Sequence, residues 1–330
     1  MPALDGVIVA LLTPVDRGGK VDHGALRDLV ERLVSRGVTG ISPLGSTGEG
    51  YSLGLEQRLA VTGTVARAVP AGMPVIPGVF AHNHEQAVAE VAAYAGHGAT
   101  GVLAAPPGYY PLGPAEQQAY FSRLADAAAL PLVLYNIPVF TKVQIAPAAA
   151  AALAPHPRVA GLKDSGRDLG YAARLLDAVA AAGAAADFSV LTGTDSMLVS
   201  YLLHGARGTI CANANVVPEL VLAVYEAARA GKLDEALRLE ARLRAVSAAF
   251  SRTCFIRATF TLPDSGDRRR RRRPPAKRSD RRREAAAFRC DRKRRLRVQE
   301  PCRASRQRVR ARAGSPRAAP ACETARASMR

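Results

Sequence analysis

Tryptophan is absent from the 330-residue chain, aromatic residues make up only 5% of it, and cysteine occurs five times. Four of the five cysteines lie beyond residue 252, and no CxxC pair or other metal-ligand spacing occurs. The sequence therefore supports neither a disulfide framework nor a zinc site. The first apolar run, Val7–Leu12, is too short for a signal peptide or a membrane span. We expect a cytoplasmic protein that does not bind membranes.

Short apolar runs alternate with amphipathic helical patterns along residues 1–230. Eight of the runs are typical of buried strands: Val7–Leu12, Gly40–Leu44, Val75–Phe80, Gly101–Pro106, Leu132–Pro138, Val159–Ser165, Phe188–Gly193 and Gly208–Ala214. Strands that are apolar on both faces predict a parallel sheet covered by helices. Eight such units fit an α/β fold of the (β/α)8 TIM-barrel type. A doubly wound open sheet is the alternative, but no Gly-rich dinucleotide fingerprint follows the first strand.

The chain beyond the predicted barrel changes in composition. A further helix at about 232–250 begins a short helical extension, which we assign to residues 231–252. Residues 253–330 carry 26 Lys and Arg against 7 Asp and Glu, including the unbroken run Arg268–Arg273. Like-charge blocks of this kind are usually disordered. The tail is also what out-of-frame translation of a GC-rich gene would produce, or it is an arm that binds nucleic acid by counterion release. No nucleic-acid-binding signature accompanies it, so we do not favour the last interpretation.

One lysine stands out within the predicted strands. Lys163 lies near the carboxyl end of Val159–Ser165, among apolar residues and glycine. Burial favours the neutral, nucleophilic form of an amine, which can attack a carbonyl and form a Schiff base. The alternative is a lysine that extends from the strand end into water.

Two other strand ends carry groups that suit the same chemistry. Gly45–Glu49 supplies two hydroxyls and several backbone N–H groups at a tight turn, which suits a carboxylate or a phosphate but also an ordinary capped turn. Tyr135 could relay protons at a substrate oxygen, although core packing is the usual role of such a tyrosine. A carboxylate cradle, a tyrosine and a lysine at one barrel mouth are what a 2-oxo acid needs to become an iminium.

Three segments resemble the signatures of the dihydrodipicolinate synthase/N-acetylneuraminate lyase family of class I pyruvate-dependent aldolases. They are Gly45-Ser46-Thr47-Gly48-Glu49, Tyr135-Asn136-Ile137-Pro138 and Gly161-Leu162-Lys163-Asp164. Their order and spacing match, and the resemblance covers about residues 4–250.

The resemblance implies a role for each motif. Lys163 would form the Schiff base with pyruvate or a pyruvate-derived 2-oxo acid, and Tyr135 would shuttle the proton at the substrate oxygen. Ser46 and Thr47 would hold the substrate carboxylate with adjoining N–H groups, including that of Gly48. No cofactor and no metal is implied.

The resemblance also implies contacts further from the lysine. Thr47 would link Tyr135 to Tyr110, which in many members reaches in from a neighbouring subunit, so a homo-oligomer, a dimer or a tetramer, is expected. Ile210 would lie near the pocket through its backbone carbonyl.

One position departs from the family pattern. In the synthases an arginine two residues after the Tyr-Asn-x-Pro motif binds the carboxylate of the aldehyde substrate, and here that position is Phe140. Phenylalanine cannot make a bidentate carboxylate contact. A 2-keto-3-deoxy sugar acid, 4-hydroxy-2-oxoglutarate or a sialic-acid-like substrate is therefore an alternative to the synthase reaction.

Two histidines offer a different chemistry. His82 and His84 have a spacing that is compatible with metal binding. Two ligands on one loop without a third are more often solvated side chains, so we predict no metal site.

Overall fold

The computed structural model describes residues 4–16 and 18–251 of the chain. Within these ranges eight strands occur: β1 Gly6–Ala10, β2 Gly40–Ser42, β3 Gly78–Val79, β4 Val102–Ala104, β5 Leu132–Asn136, β6 Val159–Asp164, β7 Ser189–Thr192 and β8 Gly208–Cys211. The same ranges hold ten α-helices: α1 His23–Ser35, α2 Leu55–Ala68, α3 His84–Ala95, α4 Pro114–Ala127, α5 Pro138–Thr141, α6 Pro147–Leu153, α7 Leu169–Ala181, α8 Leu198–Leu203, α9 Pro218–Arg229 and α10 Leu233–Ser251.

The strands form one parallel sheet in the order β2-β1-β8-β7-β6-β5-β4-β3. Its two ends meet where Ile41 of β2 pairs in parallel with Val75, just ahead of β3. The Ile41 N–H donates to the Pro74 carbonyl, and the Ile76 N–H donates to the Ile41 carbonyl, both at 2.9 Å. The sheet therefore closes on itself, and the predicted (β/α)8 barrel is confirmed.

Two apolar cores stabilise the barrel because alternate residues of each strand point to opposite faces. The outer core lies between strands and helices, as with Val7 and Val9 of β1, which pack with Leu26 and Leu33 of α1. The inner core fills the barrel and consists of Leu4, Ile8, Ala10, Ile76, Leu103, Ala105, Val133, Tyr135, Ile137, Leu191 and Ile210, with Phe80 packed against it. Tyr135 is thus part of the inner core and carries a hydroxyl within it.

All eight strands end one to three residues earlier than predicted, and three regions differ in other ways as well. The third strand is only Gly78–Val79 instead of Val75–Phe80, because Pro77 has no N–H to donate to a ladder. The fifth strand ends at Asn136, and Pro138 opens the one-turn helix α5, which was not predicted; proline suits the first helical position. The sequence at about 195–204, where the apolar pattern predicts one helix, divides into a 3₁₀ turn, Asp195–Met197, and α8.

The helical extension after the barrel is helix α10. Its Glu240 is buried, accepts a hydrogen bond from the Val199 N–H at 2.8 Å and pairs with Arg244 at 2.8 Å. This places α10 against α8 and so beside the barrel. The basic tail assigned to 253–330 lies outside the described residues. In the ranges that the structure describes, no helix is both long enough and apolar enough to cross a bilayer.

Replacing Gly208 by alanine tests the close packing of the barrel strands. Gly208 pairs with Gly6 of β1, and a Cβ at Gly208 would collide with the Gly6 carbonyl. We expect Gly208→Ala to lower the free energy of unfolding by about 1–3 kcal/mol or more, as overpacking does. Gly96→Ala is the matched control, because a Cβ there meets only Ala93 O at 3.5 Å. Urea unfolding of both variants measures the difference, and equal midpoints would contradict the packing account.

Candidate active site

Lys163 and Tyr135 face each other inside the mouth of the barrel. They are partners in the register of β5 and β6, and the Lys163 Nζ lies 4.5 Å from the centroid of the Tyr135 ring. Lys163 is only 4% exposed and Tyr135 only 2% exposed. The Lys163 side chain has room because residue 193, at the end of the neighbouring strand β7, is a glycine. A Cβ at Gly193 would lie 2.9 Å from Lys163 Cε. The lysine therefore does not extend into bulk water.

The turn Gly45–Glu49 lies beside this pair. The Ser46 hydroxyl is 3.4 Å from the Tyr135 hydroxyl. The turn is fastened to the end of β1, since the Thr13 hydroxyl donates to the Gly48 carbonyl at 2.7 Å. No hydrogen bond within the described parts of the chain uses the backbone N–H groups of Ser46 and Thr47. These two amides and the Ser46 hydroxyl can hold an anion next to Tyr135.

Backbone strain is concentrated in the loops that follow the motif-bearing strands. Four non-glycine residues among those described have a positive φ: Leu44 (61°), Glu49 (50°), Lys142 (58°) and Arg167 (61°). The first two flank the Gly45–Gly48 turn after β2, and the others follow α5 and β6. Each such residue costs of order 1 kcal/mol or more and persists only where the surroundings enforce it. The strain is therefore located around the mouth that holds Lys163.

A buried carboxylate anchors β5 to β6 on the face opposite Lys163. The Asp164 side chain is fully buried and accepts hydrogen bonds from Asn136 Nδ2 at 2.7 Å, the Gly166 N–H at 2.8 Å and the Tyr201 hydroxyl at 2.6 Å. Asn136 in turn accepts from the Ile145 N–H at 2.9 Å. Burial raises the pKa of the Asp164 carboxyl above its ordinary value, and these hydrogen bonds oppose the rise.

Ile210 and Cys211 lie on opposite faces of β8. Ile210 is fully buried in the inner core, one strand beyond Leu191. Cys211 is buried in the outer core between strands and helices, and burial raises the pKa of its thiol to about 12. A thiol with that pKa stays protonated near neutral pH, so Cys211 is a poor nucleophile.

Other residues singled out from the sequence lie at the rim. Tyr110 is 72% exposed, and its ring packs edge-on against Tyr109 with 4.9 Å between centroids. Phe140 is 63% exposed on the short helix α5. Thr47 is half-buried, and the hydroxyl that lies within hydrogen-bonding distance of Tyr135 is that of Ser46. Within one chain, Tyr110 therefore does not reach Tyr135 through Thr47.

The histidines after β3 form no metal centre in the residues that the structure describes, where no group of three potential His, Cys, Asp or Glu ligands occurs. His82 is exposed, and its ring lies 6.1 Å from that of Tyr51.

Sequence reasoning missed two parts of the site. The bond from Tyr201 to Asp164 spans 37 residues of sequence, and nothing in the α8 pattern marks Tyr201 as a donor. The ring centroids of Phe80 and Tyr51 are 6.5 Å apart, and those of Phe80 and Tyr135 are 6.3 Å apart. The signal in the sequence for this contact was the position of Phe80 at the end of the predicted strand Val75–Phe80.

The assembled groups can perform carbonyl chemistry. An amine, a phenol hydroxyl and an anion cradle converge on one water-poor mouth, with the phenol between the other two. This is the arrangement required to bind a small carboxylic acid, condense its carbonyl with the amine and move protons at the reacting oxygen.

Comparison with known proteins yields consistent similarities. A model of the dihydrodipicolinate synthetase family matches residues 3–287. The 4-hydroxy-tetrahydrodipicolinate synthase of Ruegeria pomeroyi is 37% identical over 238 residues, 72% of this chain and 80% of the relative. YagE, an E. coli K12 prophage protein of the dihydrodipicolinic acid synthase family solved in complex with pyruvate, superposes with a TM-score of 0.72 at 28% identity, over 77% of this chain and 85% of that one. The dihydrodipicolinate synthase of Bacteroides thetaiotaomicron superposes with a TM-score of 0.71 at 33% identity, over 75% and 83%.

Removing the Tyr201 hydroxyl tests the anchoring carboxylate. Tyr201→Phe takes away one of three donors to buried Asp164, so we expect a loss of about 1–3 kcal/mol in the free energy of unfolding at neutral pH. The lost bond favours the ionised carboxyl and holds its raised pKa down. Its contribution is therefore present while Asp164 is ionised and disappears as the pH falls through the pKa of the folded state.

The matched control is Tyr171→Phe, which removes a buried hydroxyl that donates to the neutral Ile145 carbonyl at 2.8 Å. The loss in free energy of unfolding that Tyr171→Phe causes should not change with pH over the same range. Urea unfolding measures both variants from pH 8 down to the lowest pH at which the wild type still folds. A loss in Tyr201→Phe that does not decrease toward the acid end, where Asp164 becomes protonated, would contradict a bond that depends on the ionised carboxylate.

Proposed function

Because the chain belongs to the dihydrodipicolinate synthetase family, we propose that it is a Schiff-base lyase that acts on pyruvate or a pyruvate-derived 2-oxo acid. One observation carries the proposal: the buried Lys163 amine lies 4.5 Å from the Tyr135 ring, with the Ser46 turn on the other side of that tyrosine. A lysine with this burial is rare unless its amine has a partner or a function.

The Gly45–Glu49 turn binds the carboxylate of the 2-oxo acid in this proposal. The N–H groups of Ser46 and Thr47 and the two hydroxyls form the cradle, whereas the N–H of Gly48, which the family resemblance also assigns to it, donates to the Gly45 carbonyl at 3.1 Å. This places C2 of the acid between the cradle and Lys163. The tight turn and its strained flanks, Leu44 and Glu49, fix the cradle before substrate arrives, which lowers the entropy cost of binding.

The chemistry then proceeds by imine formation. The Lys163 amine attacks C2, and the carbinolamine oxygen leaves as water after protonation. The iminium withdraws electrons, so a proton at C3 is released and an enamine forms. The enamine carbon attacks an aldehyde carbonyl and forms a carbon–carbon bond, and water then hydrolyses the imine and frees Lys163. Cleavage of a 4-hydroxy-2-oxo acid is the same sequence reversed.

Tyr135 transfers the protons in these steps. Its hydroxyl lies 3.4 Å from that of Ser46, so a proton that Tyr135 takes from the carbinolamine can pass to the Ser46 hydroxyl. Thr47 extends the relay toward Tyr110, which comes from a neighbouring copy. Ile210 lines the base of the pocket from β8.

Two reactions, which differ in their second substrate, remain as candidates. Relatives named 4-hydroxy-tetrahydrodipicolinate synthase favour condensation of pyruvate with an aldehyde that carries a carboxylate. Phe140 favours a different 2-oxo acid aldolase, since it occupies the position of the carboxylate-binding arginine. Lys142 is an exposed, flexible point charge whose Nζ donates to the Val139 carbonyl at 2.8 Å, so it cannot supply the bidentate contact of an arginine.

Homo-oligomer formation is part of the same proposal. Several apolar side chains of the mouth loops are exposed, among them Tyr109, Tyr110, Val139 and Phe140, at 61–87%. Exposed apolar clusters of this kind mark contact surfaces. A second copy seated there brings a Tyr110 toward the opposite mouth.

Borohydride trapping tests the proposed function. Incubation with pyruvate and borohydride should yield a reduced pyruvyl adduct of the intact protein, which peptide mapping places on Lys163. Lys163→Ala should give no adduct. Tyr135→Phe should form it more slowly, by about 10²–10⁴-fold, the usual contribution of general acid–base catalysis.

Lys142→Ala provides the control, since it removes another lysine near the mouth and should leave the adduct unchanged. Folding of each variant is checked by circular dichroism. Absence of an adduct on folded wild-type protein, or an adduct on Lys142 in place of Lys163, would overturn the proposal.

A further inference from the structure

The turn that follows β7 lies against the Lys163 side chain. It consists of Gly193, Thr194 and Asp195, and we call it the β7 turn. A Cβ at Gly193 would lie only 2.9 Å from Lys163 Cε. The Gly193 N–H donates to the Asp164 carbonyl at 2.6 Å, which ties the start of the β7 turn to β6. The β7 turn therefore limits the space that the Lys163 side chain can occupy at the mouth.

The far end of the β7 turn is tied to the loop after β8. The Asp195 carboxylate accepts a hydrogen bond from the Asn213 N–H at 3.1 Å, and Asn213 begins the 3₁₀ turn Asn213–Asn215 that follows β8. Burial raises the pKa of the Asp195 carboxyl above its ordinary value, and this hydrogen bond opposes the rise. A shift of Asn213 would thus be passed to Asp195 and along the β7 turn to Gly193.

Asn213 is in turn held by helix α10. Asn213 is 3% exposed, and its Nδ2 donates to the Ser247 hydroxyl at 2.5 Å. The Ser247 hydroxyl donates its own proton to the Leu243 carbonyl at 3.0 Å. Because that proton is committed to the helix, the Ser247 oxygen is oriented to accept from the Asn213 amide. A side-chain connection therefore runs from α10 to the loop after β8.

A second bond attaches α10 to the barrel independently of Asn213. Glu240 accepts from the Val199 N–H at 2.8 Å, near the start of α8. Glu240 and Ser247 are two helical turns apart, so they lie on the same face of α10. Removing the Ser247 hydroxyl therefore breaks the connection to Asn213 and leaves the attachment of α10 to α8 in place.

We propose that Asn213 and Ser247 are positioning residues for Lys163, so that helix α10 takes part in the chemistry of the mouth through the β7 turn. The inference rests on the proposed Schiff-base function and adds two residues to it. The connection from Ser247 through Asn213 keeps the β7 turn against the lysine side chain, and so holds Nζ where it attacks C2 of the 2-oxo acid. Without it, the amine and C2 are less often in the reactive geometry.

Trapping of the imine with pyruvate and cyanoborohydride tests the proposal, with the initial rate at Lys163 measured over a range of pyruvate concentrations. Asn213→Ala and Ser247→Ala should each lower the rate at saturating pyruvate by about 10-fold, less than the roughly 10²-fold that a displacement of about 1 Å can cause. The half-saturating pyruvate concentration should not change, because neither residue belongs to the Gly45–Glu49 turn that holds the carboxylate.

Two further variants separate positioning from a general structural role. The double variant Asn213→Ala/Ser247→Ala should be no slower than either single variant, because both substitutions remove the same bond. Ser247→Thr keeps the hydroxyl and should restore most of the rate. Ser247 is only half-buried on α10, so Ser247→Ala still decides the matter if Asn213→Ala fails to fold.

Thr62→Val is the matched control. Thr62 is fully buried in α2, and its hydroxyl donates to the Arg58 carbonyl at 2.9 Å, four residues earlier, as Ser247 does to Leu243. Thermal unfolding should show a loss of stability in Thr62→Val, while its trapping rate stays that of wild type. An equal fall in rate in Thr62→Val would show that destabilisation alone slows trapping, and would overturn the proposal.

A second readout needs no pyruvate. Formaldehyde with cyanoborohydride methylates lysine amines, and peptide mapping gives the rate at Lys163. The wild-type amine should react slowly, because Lys163 is 4% exposed. Asn213→Ala and Ser247→Ala should be methylated about 10-fold faster at Lys163, since the released side chain reaches solvent more often, and Thr62→Val should match wild type.

The outcomes separate this inference from the proposed function. A wild-type pyruvate adduct whose rate of formation is unchanged in Ser247→Ala overturns the inference alone, as does a double variant much slower than either single one. Absence of the adduct from folded wild type overturns the proposed function, and methylation then decides: faster methylation of Lys163 in Ser247→Ala supports its positioning by α10, and an unchanged rate overturns it.

Discussion

The pairing of β5 with β6 is the constraint on which the mouth of this barrel depends. The register sets Tyr135 opposite Lys163 and Asn136 opposite Asp164. Successive residues of a strand point to opposite faces, so the first pair points into the barrel and the second points to the helices. The same two strands thus carry a reactive pair inside and its anchor outside. A slip of one residue would exchange the two faces, and the buried carboxylate would then occupy the barrel interior.

The folded state tolerates unfavourable features to maintain this arrangement. Asp164 is a carboxylate removed from water, and its three donors only partly offset the cost of burial. Leu44 and Glu49 hold left-handed backbone conformations that side chains disfavour. Both features lie next to the proposed reacting groups. The packing of the surrounding barrel offsets the free energy that these two features cost the folded state.

Much of this architecture could be predicted from the sequence, because it depends on local patterns. Alternating apolar runs predicted the eight strands, although each observed strand ends earlier than its apolar run. Tyr135 and Lys163 lie on successive predicted strands, Leu132–Pro138 and Val159–Ser165, so the barrel order predicted that they would be neighbours. The contact of Tyr201 with Asp164 could not be predicted, because it depends on how α8 packs on the barrel. The turn of α5 was missed because Pro138 ends a run that is otherwise apolar.

The central claim is that Lys163 and the Ser46 turn hold one 2-oxo acid between them, with Tyr135 at the reacting oxygen. A crystal structure of the protein soaked with pyruvate tests it most directly. The account predicts continuous density from Lys163 Nζ to C2 of pyruvate, the carboxylate on the N–H groups of Ser46 and Thr47, and the Tyr135 hydroxyl within hydrogen-bonding distance of the ligand. Pyruvate bound elsewhere, or a Lys163 side chain turned out of the barrel, would contradict it.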